Sequence, residues 1–69
     1  MADALHNNLR AARDARGWTQ AQLAEAAGVS RKTVNTVENG VFIPSTIVAL
    51  RLSRALGQTV EALFSLPEV

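Results

Sequence analysis

The adjacent basic residues Arg31 and Lys32 are the side chains of this sequence best suited to binding chemistry. A guanidinium next to an ammonium contacts phosphates or donates hydrogen bonds to the edges of nucleotide bases. A solvated helix face carries such a pair equally well, so the pair alone leaves both interpretations open. Catalysis has weaker support, because the sequence has no nucleophile with a base, no paired carboxylates and no glycine loop for phosphate. We therefore expect a binding protein and no enzyme.

Length and composition limit the kind of domain that positions these residues. The chain has 69 residues, of which 48% are hydrophobic and 19% charged, so we expect one folded domain spanning residues 1–69. The absence of cysteine and the single histidine exclude disulfides and the usual zinc sites, and we expect neither a metal nor a cofactor. No apolar run is long enough to span a membrane, and the N-terminus lacks the features of a signal peptide. These features predict a soluble, cytoplasmic protein with no membrane partner.

Charge is distributed unevenly along the chain, although the formal net charge is only +1. All seven basic residues lie within the first 54 positions, whereas the last 15 positions hold two acidic residues and no basic one. A basic front would suit an anionic partner such as nucleic acid. A split this weak is also common in ordinary domains, so it supports nucleic-acid binding without establishing it.

Local sequence signals predict short helices on both sides of a turn that precedes the basic pair. Thr19 and Gln22 have the spacing of a capping box, in which each side chain bonds the backbone amide of the other residue. Gly28 favours the left-handed conformation found after a helix end, and Ser30 is a good cap for the next helix. Apolar residues at helical spacing indicate a first helix near residues 3–16. The second and third helices are predicted to span residues 20–27 and 31–39.

The second half of the chain predicts a connector followed by two more helices. Residues 41–44 end in a proline, which disfavours a helical conformation in the residue before it. Two helices are then predicted within residues 45–66, with Ile47 and Leu50 among the apolar members of the first and Phe64 in the second. Strand-like alternation is absent from the sequence. We therefore predict an all-α fold, a compact five-helix bundle.

The second and third predicted helices, joined by three residues, match the dimensions of a helix-turn-helix. Such a pair requires a small residue where the helices cross, here Ala24, and a residue that tolerates positive φ in the turn, here Gly28. This unit often docks in the major groove of DNA, but a helical hairpin with a purely structural role has the same pattern. Both interpretations stay open at this point. The inner faces of the pair are predicted to carry Leu23, Ala27, Val29, Val34 and Val37.

Several spaced motifs make the chain similar to a known family. The segments Gln20-Ala21-Gln22-Leu23-Ala24, Gly28-Val29-Ser30-Arg31 and Val37-Glu38-Asn39-Gly40 resemble the Xre family of helix-turn-helix proteins, which includes the lambdoid phage repressors and Cro proteins. The similarity continues through residues 44–45 and 54–57 into residues 60–64, and so covers nearly the whole chain. The resemblance implies a five-helix fold whose third helix enters the major groove. It also implies a two-fold dimer that represses or activates transcription.

The resemblance implies roles for individual residues. Base contacts are expected from the exposed start and middle of the third helix, namely Ser30, Arg31, Lys32, Asn35 and Thr36. Phosphate contacts are expected from Thr19, Gln20 and Asn39. Two of these residues have an equally good alternative role that needs no DNA. Thr19 would then serve as a helix cap alone, and Asn39 as a helix terminator alone.

Other residues are expected to support the scaffold. In the family, an arginine and a glutamate at the positions of Arg13 and Glu38 form a partly buried pair that locks the first helix to the third. A lone buried charge is costly, whereas a paired charge mainly fixes geometry. Trp18 is expected to pack between the first two helices, and His6 to lie on the surface of the first helix.

The connector departs from the common family pattern. Val41, Phe42 and Ile43 stand where many relatives carry basic residues that touch the DNA backbone. The apolar side chains of the C-terminal half exceed what one small core needs, and exposed apolar patches usually mark interfaces. We therefore predict a homodimer, with an interface formed by Phe42, Ile43, Val60, Phe64 and Leu66. The chain stops where some relatives continue into a ligand-binding domain, so we expect no small-molecule effector domain.

These observations together favour a sequence-specific regulator of transcription that binds double-stranded DNA. We expect a dimeric repressor that reads a palindromic operator with its third helix. The alternative is a protein-interaction module, antitoxin-like or an anti-regulator, that keeps the fold but binds protein through its apolar faces. The basic start of the third helix favours DNA over that alternative.

Overall fold

Five helices follow one another along the chain in the computed structural model, which describes residues 5–67. Their number and order agree with the prediction. The third helix ends one residue earlier than predicted, because Asn39 forms its C-cap. The helices are α1 (Leu9–Ala15), α2 (Gln20–Ala27), α3 (Arg31–Glu38), α4 (Thr46–Leu56) and α5 (Val60–Leu63).

The boundaries of α2 and α3 are set by local side chains. The Thr19 hydroxyl accepts a hydrogen bond from the Gln22 amide at 3.1 Å, and the Gln22 side chain accepts one from the Thr19 amide at 2.8 Å. The Ser30 hydroxyl accepts from the amide of Thr33 at 3.0 Å and so caps α3. Between the helices Gly28 has a φ of +71°, a conformation that residues with a Cβ rarely adopt. The turn of the motif is thus specified by residues within it.

Two short strands join the chain ends of the described region, and they correct the all-α description. Strand β1 (His6–Asn7) pairs antiparallel with strand β2 (Phe64–Ser65), with His6 opposite Ser65. His6 therefore lies in a strand and not on the first helix, and Phe64 follows α5 in an extended conformation. The strands were missed because each is two residues long, too short for alternation to be visible.

Helix α1 begins at Leu9, later than the predicted position near residue 3. The reason is that long-range hydrogen bonds hold the residues before Leu9. Positions 3 and 4 of that prediction lie outside the described residues. The Asn8 backbone amide donates to the Leu63 carbonyl at 2.8 Å, and the Asn7 side chain donates to the Val37 carbonyl at 3.3 Å. Asparagine has low helix propensity and readily exchanges helical bonds for such contacts. The segment before Leu9 is consequently held by α3 and by the opposite end of the chain.

The core is a single cluster of apolar side chains contributed by all five helices and β2. The largest fully buried side chains come from all five helices, and the small Ala24 lets α2 approach its neighbours closely. The predicted inner face of the helix-turn-helix is confirmed, with Val29 partly buried against the core and the others buried. The fully buried large side chains are Leu9, Leu23, Val34, Val37, Leu52 and Leu63.

Helix α4 presents a second apolar face that does not enter the core. Ala49, Leu52 and Leu56 are buried, whereas Ile47 is 66% exposed and Leu50 is 55% exposed. Ile47 and Leu50 are members of this helix, as predicted, but they lie on its outer side and not in the core. Among residues 5–67, no helix is both long and apolar enough to cross a membrane.

Candidate nucleic-acid interface

Helix α3 carries the expected polar residues on the side opposite to its buried valines. Val34 and Val37 fix the helix against the core, which leaves Arg31, Lys32 and Asn35 exposed. Within residues 5–67 neither Arg31 nor Lys32 forms an ion pair. The helix therefore presents two cations at its first turn, where a side chain reaches furthest beyond the helix end.

The hydroxyl groups of Ser30 and Thr36 are occupied within the helix. Ser30 caps α3 and also shares a 2.8 Å hydrogen bond with the Thr33 hydroxyl. The Thr36 hydroxyl donates to the Lys32 carbonyl at 2.9 Å, and Thr36 is half-buried. The Thr36 hydroxyl keeps its acceptor lone pairs, so a base can contact it there or at its methyl group, whereas the Ser30 hydroxyl has one hydrogen-bonding position left.

The start of α2 and the start of α3 meet at one cleft. Thr19 and Gln20 line it at the start of α2, Arg31 lines it at the start of α3, and Arg13 of α1 also lines it. The first amides of α2 point outward at this end, where a helix favours negative charge. In the described part of the chain, no group of three or more His, Asp or Glu side chains is placed to hold a metal ion. The cleft is thus suited to an anionic group bound by amides and guanidinium.

Arg13 and Glu38 lie in contact and tie α1 to α3. Arg13 Nε donates to Glu38 Oε2 at 2.6 Å, and its Nη2 donates to Oε1 at 3.2 Å. A third donor, Nη1, bonds the Trp18 carbonyl at 2.8 Å. The Glu38 side chain is 0% exposed and that of Arg13 13%. A bidentate pair of this kind holds both helices in one geometry.

The protonation of the pair follows from its surroundings. Burial disfavours the charged carboxylate, but hydrogen bonds from Arg13, Gln20 and Arg10 outweigh that cost and hold the pKa of Glu38 below its ordinary value. The hydrogen bond to Glu38 raises the pKa of Arg13 further, against the smaller opposing effect of burial. Both groups are therefore charged at neutral pH.

Gln20, Asn35 and Asn39 are hydrogen-bonded to one another instead of standing apart. Asn35 donates to the Gln20 side-chain oxygen at 3.3 Å, and Asn39 donates to the Asn35 oxygen at 3.3 Å. Gln20 donates in turn to Glu38 at 3.1 Å. Two residues expected to contact phosphate are thus linked through one that was expected to contact a base.

Arg10 was missed as a member of this site. Its Nη2 donates to the Asn39 oxygen at 3.0 Å, and its Nε donates to Glu38 Oε1 at 3.3 Å. Arg10 precedes Arg13 by three residues, which places both on the same face of a helix. That spacing was the available signal, but the family pattern drew attention only to Arg13.

Trp18 packs on the core and is partly buried. Its ring also supports a cation, because the Arg16 guanidinium lies 4.4 Å from the ring centroid. The same guanidinium donates to the Leu56 carbonyl at 3.3 Å and so connects the end of α1 to the end of α4. The indole is therefore part of the scaffold and does not extend towards the cleft.

The residues expected at a dimer interface fall into three groups. Phe42 is 46% exposed and Ile43 64% exposed on the connector, and the half-buried Val60 shares a groove with Ile43 and Leu50. Phe64 forms part of the core at 8% exposure, because it turns inward after α5. Leu66 is 73% exposed but lies at a separate groove beside His6.

Comparison with known proteins gives one consistent result. The model of the family described as "Helix-turn-helix" matches residues 9–63. A protein of Bacillus subtilis described as "Uncharacterized HTH-type transcriptional regulator YgzD" is 34% identical over 64 residues, covering 93% of this chain and 97% of that protein. An HTH-type transcriptional regulator of Methanothermobacter thermautotrophicus is 47% identical over 53 residues, covering 75% of this chain and 77% of its own.

A solved structure extends the similarity to three dimensions. The crystal structure of the hypothetical transcription factor NHTF from Neisseria superposes with a TM-score of 0.78 at 30% sequence identity, covering 87% of this chain and 69% of that one. The region matched by the family model, residues 9–63, includes the whole helix-turn-helix and the helices that carry Arg13 and Glu38. The chain belongs to the Xre-type helix-turn-helix family of DNA-binding transcriptional regulators.

Proposed function

We propose that this protein is a sequence-specific regulator that binds a palindromic operator as a homodimer and represses transcription. The observation that carries the proposal is the placement of Arg31 and Lys32. Both are exposed at the first turn of α3, and Arg31 lines the same cleft as the start of α2. In this mode α3 lies in the major groove, while the start of α2 faces the adjacent phosphates.

Specificity in this proposal resides mainly in Arg31. An arginine can donate two hydrogen bonds to the O6 and N7 atoms of one guanine, which distinguishes that base from the others. Lys32 has a more flexible side chain and contributes a point charge, to a base or to a phosphate. Thr36 is one turn further along the helix, where its methyl group suits an apolar contact such as a thymine methyl. Ser30 acts mainly as the cap that orients α3.

The dimer is supported by the outer face of α4 and the connector. Ile43, Ile47 and Leu50 are each more than half exposed, and Phe42 is nearly so. Burial of a leucine or isoleucine side chain contributes about 1.5–3 kcal/mol, so covering this face would stabilise the pair substantially. Val60 adjoins it, whereas Phe64 is buried beneath it and Leu66 lies elsewhere. We therefore propose an interface centred on Ile43, Ile47 and Leu50, revised from the sequence prediction.

The charges around Leu50 favour a second copy of the same chain as the partner. Leu50 separates two grooves, one lined by Arg54 and the other by Glu61. A two-fold axis near Leu50 would bring the arginine side of each copy to the acidic side of the other, which makes the face complementary to itself. Two modules joined in this way would read half-sites about 10 base pairs, or roughly 34 Å, apart.

Selection of bound sequences from a random duplex pool tests the proposal. The expected outcome is a palindromic consensus with two half-sites at that spacing, together with a dimer mass in light scattering at micromolar concentration. A consensus with a single half-site would contradict the dimer but keep the DNA-binding function. No enrichment would contradict DNA recognition and favour the protein-interaction alternative, which the exposed Val41–Ile43 segment supports.

A further inference from the structure

Five side chains form a closed ring of hydrogen bonds where α1, α2 and α3 meet. We call this the polar ring; it consists of Arg10, Gln20, Asn35, Glu38 and Asn39. Arg10 donates to Asn39, Asn39 to Asn35, Asn35 to Gln20, and Gln20 to Glu38, over distances of 3.0, 3.3, 3.3 and 3.1 Å. Arg10 closes the ring with a bond to Glu38 at 3.3 Å.

The direction of these bonds determines what the ring offers to a partner. The side-chain oxygens of Gln20, Asn35 and Asn39 each accept a bond from another member of the ring. Each of their amide nitrogens carries two hydrogens, of which the ring uses one. Each amide thus has one lone pair and one hydrogen left, and Arg10 adds three unused hydrogens, so donors outnumber acceptors on the ring. A surface rich in donors is suited to an anion.

The distribution of charge around the polar ring also favours an anionic partner. Arg10 and Arg13 share the single carboxylate of Glu38, which is fully buried. Arg13 binds both carboxylate oxygens at 2.6 and 3.2 Å, whereas Arg10 has one longer contact and a side chain that is 57% exposed. The carboxylate therefore neutralises Arg13 first, and the surplus positive charge of the cluster lies on Arg10 at the surface. Arg10 has five donor hydrogens and uses two of them in the ring.

We propose that the polar ring is a pre-formed clamp for a phosphate of the DNA backbone, with Arg10 as a phosphate-binding residue. In this proposal Asn35 is a positioning residue that holds Gln20 and Asn39, and it does not read a base. The inference rests on the proposed DNA-binding function and deepens it. Pre-forming the donors reduces the conformational entropy that is lost when phosphate binds.

The role of Arg10 is tested by titrating fluorescent duplexes with the wild type and with Arg10→Ala at several salt concentrations. One duplex carries the selected consensus and the other a scrambled sequence. In the proposed dimer Arg10→Ala removes one phosphate contact at each half-site, so binding to both duplexes should weaken by about a hundredfold and the slope of log K against log salt should fall by about 1.8. Arg10→Lys should restore most of the slope. Equal affinity and an unchanged slope for Arg10→Ala would overturn the assignment.

Folding is separated from binding by a thermal melt of each variant. If Arg10→Ala is unfolded, Arg10→Gln replaces it, because the glutamine keeps a donor for the ring but removes the charge. The same loss of salt slope is expected from it, and an unchanged slope would again overturn the assignment. Binding of both duplexes by the wild type is measured in the same titration, so a failure of the proposed function is visible independently of Arg10.

The role of Asn35 is tested by repeating the sequence selection with Asn35→Ala. A positioning residue predicts weaker binding to both duplexes and an unchanged consensus. It also predicts that Asn35→Ala and Gln20→Ala together cost less than the sum of their separate effects, because both break the same bond. A consensus that changes at one base position in each half-site would show direct reading and overturn this part of the proposal.

Discussion

The two candidate binding surfaces of this domain differ in how their side chains are satisfied. The first, which we call the corner, consists of the polar ring and the start of α3. The second is the outer face of α4. At the corner, polar side chains are bonded to one another around the buried Glu38 carboxylate, and in residues 5–67 no buried side-chain polar atom lacks a partner. On α4, Ile47 and Leu50 are exposed although neighbouring positions of the same helix are buried. The side chains of the corner are bonded to one another within the chain, whereas the outer face of α4 leaves apolar side chains exposed.

This difference predicts different physical signatures for the two surfaces. Binding at the corner should depend on salt, because phosphate contacts release counterions. Association through α4 should depend on protein concentration and only weakly on salt, because it buries apolar area. Arg51 links the two regions, since its guanidinium on α4 donates to the Gly28 carbonyl in the turn at 2.9 Å. Variants that change the salt dependence without the concentration dependence, or the reverse, therefore distinguish the two surfaces.

Removal of the Glu38 carboxylate should have the largest effect. Glu38→Ala leaves Arg13 without its partner at 13% exposure, and uncompensated buried charge is strongly destabilising. We expect a loss of about 3 kcal/mol in the free energy of unfolding, measured by urea denaturation. Glu25→Ala, on the exposed side of α2, is the control and should change stability by less than about 0.5 kcal/mol. Equal stability of the two variants would contradict a structural role for the pair.

Local interactions made much of the fold predictable from the sequence. The capping box of Thr19 with Gln22 and the positive φ of Gly28 depend on residues within the motif, so both could be read directly. The pairing of His6 with Ser65 joins positions 59 apart in the chain and has no local signal. The direction of the α4 outer face was missed for a related reason. Its apolar residues recur at helical spacing on two sides, and only the tertiary arrangement decides which side is inside.

The candidate site was likewise predictable where its signals are local and not predictable where it depends on long-range contacts. Arg31 and Lys32 follow a capping serine, so their position at the start of a helix was predictable. The family resemblance predicted a contact between Arg13 and Glu38, which the structure places 2.6 Å apart. The contacts of Arg10 with Glu38 and Asn39 span 28 and 29 positions and require knowledge of how α1 crosses α3. Hydrogen-bond direction within the polar ring could not be inferred from residue types alone.

The next largest effect is expected at the corner, from Arg31→Ala. Loss of a bidentate contact with guanine should cost about 1–3 kcal/mol of binding free energy per half-site of the consensus duplex and relax the preference at that position. Arg16→Gln is the control, because it removes one positive charge beside Trp18, away from the cleft. Gel-shift titration measures the affinity of both variants for the consensus duplex. If they lose affinity equally, the charge of the domain matters and the position of Arg31 does not.

A smaller effect is expected on the α4 face, from Leu50→Ala. Loss of the buried apolar area should raise the dissociation constant of the dimer by about tenfold, which corresponds to about 1.4 kcal/mol. Leu66→Ala is the matched control, because Leu66 is also exposed but lies at the separate groove beside His6. Sedimentation at a series of protein concentrations measures both constants. An equal shift for Leu66→Ala would place the interface at the chain ends, and no shift for Leu50→Ala would exclude α4.

The smallest effect concerns the pH dependence of stability at the corner. Burial raises the pKa of Glu38, but the hydrogen bonds from Arg13, Gln20 and Arg10 outweigh it, so the folded-state pKa lies below that of the unfolded chain, about 4.3. A depressed carboxylate pKa stabilises the fold fully above the unfolded value, and that contribution is lost as the pH falls through the folded value. Urea denaturation between pH 7 and pH 3 should therefore show stability decreasing below about pH 4.5 in the wild type. The stability of Glu38→Gln should decrease less steeply over this pH range. Asp14→Asn, which replaces an exposed carboxylate 3.4 Å from Arg13, should retain most of the decrease seen in the wild type. Parallel curves for the wild type and Glu38→Gln would show that the acid sensitivity arises from other carboxylates and that the corner does not depend on this charge.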